Sequence, residues 1–224
     1  MAVNSLPIVV LISGSGTNLQ AIIDAVQRDD LPVEIRAVIS NRADAPGLKR
    51  AEQSNIPARV LNHRQYPDRR SFDLALQQLI DSYHPELIVM AGFMRILTPE
   101  FVAHYQGRML NIHPSLLPLF RGLDTHRRTL DAGHHTHGAS VHFVTPELDG
   151  GPIVLQATVP VLPGDTPETL AARVQLQEHI IYPLAIDWFA RGRLRNTPAG
   201  ISLDGKPLHT PPTLTDGKLL FSDD

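Results

Sequence analysis

Apolar and polar positions change period repeatedly along the first half of the chain. Pro7–Ser13, PIVVLIS, is a continuous apolar run, as a strand covered on both faces requires. Leu19, Ile22, Ile23 and Val26 then recur at helical spacing. Val33–Ser40, VEIRAVIS, alternates and predicts a second strand. A helix over Pro46–Ser54 and an extended piece over Ala58–Leu61 follow. Phe72, Leu76, Leu79, Ile80 and Tyr83 mark the clearest amphipathic helix. Glu86–Gly92, ELIVMAG, is another buried strand. Thr98, with Pro99 and Glu100 behind it, opens a short helix. Arg108–His113, RMLNIH, is a fourth strong strand. This β-α alternation predicts an α/β fold: an open, twisted, mostly parallel sheet with right-handed crossovers.

The second half has a different rhythm. His137–Val144 and Gly151–Val161 are strands joined by TPELDG, which is too short for a crossover helix, so they should pair as an antiparallel extension. A long helix follows, capped by Asp165 or Thr166, with Glu168 in its first turn. Leu170, Val174, Ile181, Leu184 and Trp188 line one face, and Pro183 inside it predicts a kink or break. The polar, Pro- and Gly-rich end suggests a small hairpin at ISLDGKPL. With no repeat and no low-complexity linker, the expected organisation is one domain over residues 1–195 and a C-terminal tail over 196–224.

Composition narrows the function. The chain is 42% apolar and 19% charged, ordinary for a globular protein with a sizeable core. A net charge of -3 argues against non-specific nucleic-acid binding. The absence of cysteine removes disulfides, thiolate nucleophiles and Cys-ligated zinc. The apolar run IVVLI is too short for a signal peptide or a membrane span, and no stretch approaches the ~20 apolar residues of a span. The cytoplasm is therefore the expected location, with no membrane partner.

Three features carry candidate chemistry. Ser13–Leu19, SGSGTNL, is a strand–Gly-x-Gly–helix transition containing Gly14 and Gly16. A helix N-terminus after such a loop suits a phosphate, and Thr17 and Asn18 add side-chain donors. The loop lacks the Lys of a Walker A sequence and the third glycine of a dinucleotide fingerprint. Arg42 in SNRAD nevertheless leaves an NADP site open. A phosphomonoester is the preferred guest. His134, His135, His137 and His142 form a histidine-rich stretch, but their spacing does not suit metal ligation, and a polar loop with one inward histidine is the simpler reading. His142 shares a strand face with Ser140 and Val144. Finally, Asn111 and His113 lie two apart and so share one face at the carboxyl end of a strand, where ligand crevices form in open α/β sheets. Asp149, in ELDGGPI, sits in a turn able to fold over such a crevice. An amide and an imidazolium can stabilise an oxyanion, and a nearby carboxylate favours the protonated imidazole. None of the three is a strong nucleophile, so the attacking group should belong to the substrate.

The segments ISGSGTNLQAII, AGFMRIL, LNIHPSLLP, HGASVHFV, ELDGGPI and RVQLQEHIIYP follow the order found in the phosphoribosylglycinamide formyltransferase family, which the chain resembles over about residues 7–193. The Asn-x-His-x-Ser-Leu-Leu-Pro segment is similar to that of folate-dependent formyltransferases in general. The resemblance implies a Rossmann-like formyltransferase fold and transfer of a formyl group from 10-formyltetrahydrofolate to the amine of glycinamide ribonucleotide, in purine biosynthesis, without a metal. It implies that Asn111, His113 and Asp149 are catalytic. It also implies that Gly14, Gly16, Thr17 and Asn18 hold the ribonucleotide phosphate, and Glu178 its ribose hydroxyls. Met94, Arg95, Ile96, Leu97, Asn111 and Val144, with the loop up to Asp149, would line the folate pocket; Arg69 is similar to a folate-contact arginine. Thr17 stands where serine is usual. Asp124 stands where many bacterial relatives carry histidine.

The nearest rival is formyltetrahydrofolate hydrolase, which shares these motifs. Such relatives carry an extra N-terminal regulatory domain, whereas this chain opens within six residues of its first strand. Methionyl-tRNA formyltransferases carry a C-terminal nucleic-acid-binding domain, which the short, non-basic tail does not match. An NADP-dependent oxidoreductase is the more distant alternative. A monomer or a homodimer acting on two small molecules is expected.

Overall fold

The changes of period appear element by element in a computed structural model, which describes residues 5–197 and 200–221. The expected domain and tail also include residues 1–4, 198–199 and 222–224, which lie outside the described residues. The chain divides into two compact units, Met1–Asn111 and Ile112–Asp224.

The first unit holds β1 (Leu6–Ile12), α1 (Thr17–Gln27), β2 (Val33–Ser40), α2 (Gly47–Gln53), β3 (Ala58–Val60), a 3₁₀ turn at His63–Gln65, α3 (Arg69–Asp81), β4 (Leu87–Met90), α4 (Pro99–His104) and β5 (Met109–His113). The last two residues of β5 already belong to the second unit. The strands pair in the order β3-β2-β1-β4-β5, every pair parallel. Ile8 to Ile12 and Leu87 to Val89 are almost wholly buried, which explains why these strands read as continuous apolar runs. The chain builds outward from β1 through β2 to β3, then returns to build β4 and β5 on its other side. The carboxyl ends of β1 and β4 thus flank a topological switch point, the place where open α/β sheets bind ligands.

Helix ends follow local chemistry. Asp68 caps α3 by accepting from the Ser71 N–H at 2.7 Å, and Thr98 caps α4 through the Phe101 N–H. The face of α3 differs from expectation: Asp73 joins Phe72, Leu76 and Ile80 in the core, while Leu79 is half-buried and Tyr83 lies beyond the helix.

The second unit contains α5 (Thr125–Asp131), β6 (Thr136–Phe143), β7 (Ile153–Pro160), α6 (Pro167–Ala190), β8 (Leu194–Thr197), β9 (Gly200–Leu203), β10 (Lys206–Pro207), β11 (Thr213–Thr215) and β12 (Lys218–Leu220). As expected, β6 and β7 are antiparallel. β11 runs parallel to β7, and β12 antiparallel to β11. β8, β9 and β10 form a separate antiparallel sheet, in which ISLDGKPL makes the β9–β10 hairpin. The helix α6 packs on β6 and β7. Thr166 is its cap, with Glu168 in the first turn as expected and Thr169 as the reciprocal partner. Asp165 instead grips Arg173. No break occurs at Pro183: α6 continues through it, because Ile181, Tyr182, Ala185 and Ile186 around it are fully buried. Leu184, expected on the inner face, is only half-buried.

Candidate active site

The glycine loop leaves β1 at the switch point. Gly16 is left-handed, with φ of 70°, and a Cβ there would lie 2.7 Å from the Cα of Gly47. The loop is therefore moulded against the start of α2. The Gly47 N–H donates to the Gly14 carbonyl at 3.0 Å, and Arg50 donates to the Ser15 carbonyl at 2.9 Å and to Gln20 at 3.2 Å. Thr17 and Asn18 open α1 directly behind the loop, so its first N–H groups face the turn, the arrangement that favours an anion. Arg42, the residue that left a dinucleotide reading open, is instead committed to Asp44 through two bonds at 3.0 and 2.7 Å.

The segment after β4 runs beside this loop. Ser13 at the end of β1 is buried; its N–H donates to the Gly92 carbonyl, its hydroxyl accepts from the Met94 N–H at 2.8 Å and donates to Asn41 at 2.5 Å. Met94 and Ile96 project outward, 69% and 52% exposed, and Leu97 turns inward. The Arg95 guanidinium lies over the Phe72 ring, 5.3 Å from its centroid. At the far end, Asp73 accepts from the Thr98 N–H at 2.6 Å. Burial pushes the Asp73 carboxyl up, against the pull of Thr98, Arg95 and Arg69. Arg69 itself is the exposed first residue of α3. Asn111 is half-buried in β5.

In the second unit His113 and Asp149 come together as expected. His113 is 6% exposed, and its Nδ1 lies 3.5 Å from Asp149 Oδ2. Its Nε2 faces the Phe120 carbonyl at 3.0 Å. Both ring nitrogens thus face oxygen atoms. Asp149 is left-handed, with φ of 47°, a strained setting of the kind found at functional sites. The Gly122 N–H fixes its Oδ2 at 2.9 Å, and Arg121 pairs with Glu147. Gly151 lets this loop close: a Cβ there would fall 1.8 Å from the Phe143 carbonyl. His142 is one of two inward histidines of its stretch. Its Nε2 lies 3.8 Å from Asp149 Oδ1, its Nδ1 bonds the Phe143 carbonyl, and burial lowers its pKa. Val144, just past this strand, is half-buried, and Glu178 is 8% exposed on α6.

Of the other histidines, His135 is exposed, and His137 is buried between Thr129 at 3.0 Å and His126 at 3.1 Å. Among the described residues no three His, Cys, Asp or Glu side chains come together as metal ligands. Likewise, no helix among them is long and apolar enough to cross a membrane. Asp124, the departure from the family pattern, is exposed and left-handed at the start of α5, with no capping bond.

Several contributors leave little trace in the apolar pattern. The Phe120 carbonyl and the Gly122 N–H are backbone groups, which no residue type announces. Gly47 and Arg50 act on the loop from thirty residues away. Asp73 left one signal, an acid on the inner face of an amphipathic helix.

Comparison with known proteins adds an independent line. Residues 6–186 match the family model described as formyl transferase. The chain is 56% identical over 201 residues to the phosphoribosylglycinamide formyltransferase of Escherichia coli (strain K12), covering 90% of this chain and 95% of that one. It is 48% identical over 188 residues to the trifunctional purine biosynthetic protein adenosine-3 of Bos taurus, spanning 84% of this chain but 19% of that longer protein. The solved structure of the phosphoribosylglycinamide formyltransferase from Coxiella burnetii superposes with a TM-score of 0.87 at 60% identity, covering 91% of this chain and 95% of that one.

Proposed function

This chain belongs to the formyl transferase family, and on that premise we propose that it moves a formyl group from 10-formyltetrahydrofolate to the amine of glycinamide ribonucleotide, a step of purine biosynthesis. The observation that carries the reading is the buried pairing of His113 with Asp149, at the end of the strand that bears Asn111.

The chain offers no strong nucleophile at this place, so the substrate amine attacks the formyl carbon directly. The Asn111 amide and the His113 imidazolium donate to the formyl oxygen as it gains negative charge. Asp149 balances the imidazolium charge and helps a water move the proton from the amine to the departing folate nitrogen. Gly14, Gly16, Thr17 and Asn18 take the ribonucleotide phosphate and Glu178 its ribose hydroxyls. Met94, Arg95, Ile96 and Leu97, with Asn111, Val144 and Arg69, take the folate. The enzyme works in the cytoplasm on two small molecules, without metal, as a monomer or homodimer.

The test uses purified protein and 10-formyltetrahydrofolate, with and without glycinamide ribonucleotide. Tetrahydrofolate should form only when the amine is present; release of formate without it would mean a hydrolase. His113→Ala and Asp149→Ala should each lower kcat by about 10² to 10⁴ under saturating substrates. Retention of most of kcat by either variant would overturn the assignment.

A further inference from the structure

Asp73 is a carboxylate in a place that normally rejects one. It is 2% exposed on the inner face of α3, beside the fully buried Phe72. One oxygen accepts from the Thr98 N–H at 2.6 Å, while the other, Oδ1, is buried with no hydrogen-bond partner among the described residues. Arg95 Nε is likewise buried and unbonded there, although Arg95 and Arg69 both act on the charge of Asp73. An apolar residue would fill this core position without the desolvation that a carboxylate carries. What the carboxylate does is hold backbone. The chain between β4 and α4 has no regular structure, and its amides at Met94 and Thr98 are bonded by two buried side chains, Ser13 at one end and Asp73 at the other. Between those two ties stand the exposed Met94 and Ile96, and Arg95 stacked on Phe72. An irregular segment tied at both ends presents a fixed surface and loses little freedom when a ligand docks on it.

We propose that Asp73 is a positioning residue for the formyl donor: through the Thr98 amide, and opposite the Ser13 tie, it holds residues 94–97 in the shape that receives the folate. The inference rests on the reading of this segment as folate-binding. Asp73 does not touch the donor; it acts through Thr98 and Arg95.

The experiment is steady-state kinetics on the full chain with each substrate varied in turn, after circular dichroism has shown that each variant is folded. Asp73→Ala should raise KM for 10-formyltetrahydrofolate about tenfold, the scale of one lost hydrogen bond to a charged group, with kcat and KM for the ribonucleotide within about twofold. Asp73→Asn, which keeps an acceptor for Thr98 but loses the charge beside Arg95 and Arg69, should leave the donor KM only about two- to threefold above the parent. An equal rise in both KM values, or no rise in a folded variant, would overturn the proposal. Should the alanine chain fail to fold, Asp73→Asn decides alone: the lost charge beside Arg95 and Arg69 should still raise the donor KM by about two- to threefold, and an unchanged ratio of the two KM values would count against it. Parent protein that forms no tetrahydrofolate with both substrates present would instead defeat the functional reading itself.

Discussion

His137 is 1% exposed, bonded to Thr129 and His126, and burial together with the neighbouring imidazoles brings its pKa down to about 4. An unfolded chain protonates the same ring near 6.5. Between those values the unfolded state binds the extra proton, so stability is full above pH 6.5, falls as the pH drops, and stops falling below about 4. The loss amounts to about 3 kcal/mol at most. Urea midpoints measured from pH 7.5 to 4 should therefore fall less steeply for His137→Asn than for the parent; parallel curves would sink the claim. The same residue shows how far side-chain types can be read in advance. The histidine-rich stretch suggested one inward ring, and it holds two, His137 and His142. Period-2 reasoning found His142 beside Ser140. It gave no account of His137, whose hydrogen-bond partners lie on α5, a helix with no apolar stripe to reveal it. The pairing of His113 with Asp149 was legible because a strand fixes the first and two glycines free the loop of the second. Its Phe120 contact was not, since any residue supplies a carbonyl.

Among elements, the longer strands were legible to within about two residues, some from an unbroken apolar run and some from alternation. Val33–Ser40 appears with the expected limits. The helix α5 was not, since its buried face is Thr125 and Thr129, which hydropathy counts as polar. Pro183 misled in the opposite sense: local propensity predicts interruption, but packing on β6 and β7 outweighs one missing N–H. The β1–α1 loop depends on α2 in a way that can be measured. A Cβ on Gly16 would meet backbone, the Gly47 Cα at 2.7 Å, and φ of 70° disfavours any L side chain. Gly16→Ala should lose about 1 to 3 kcal/mol of stability, and KM for the ribonucleotide should rise at least about tenfold while the donor KM holds. A variant with parent-like ribonucleotide KM would separate this loop from phosphate binding.

At the scale of the whole chain, the polar end does more than its composition suggests. Leu214 is 6% exposed, the Gln156 N–H donates to the Pro212 carbonyl, and Thr158 bonds Thr215 at 2.7 Å. These contacts continue the sheet past β7. Sequence composition marks residues 196–224 as a tail because strands of three residues are too short to show a period. Ending the chain after Leu208 should bare the outer edge of β7, lower Tm by about 5 °C or more and promote self-association on sizing columns. A truncated chain that melts with the parent and elutes unchanged would show that β11 and β12 are ornamental.

The two ties on residues 94–97 also bear on how this enzyme tolerates change over generations. A surface whose shape is fixed from behind can present main-chain groups to a ligand whatever side chains it carries in front. Met94 and Ile96, for all their exposure, are then free to drift among apolar types. Ser13 and Asp73, hidden from any ligand, are where drift would be punished.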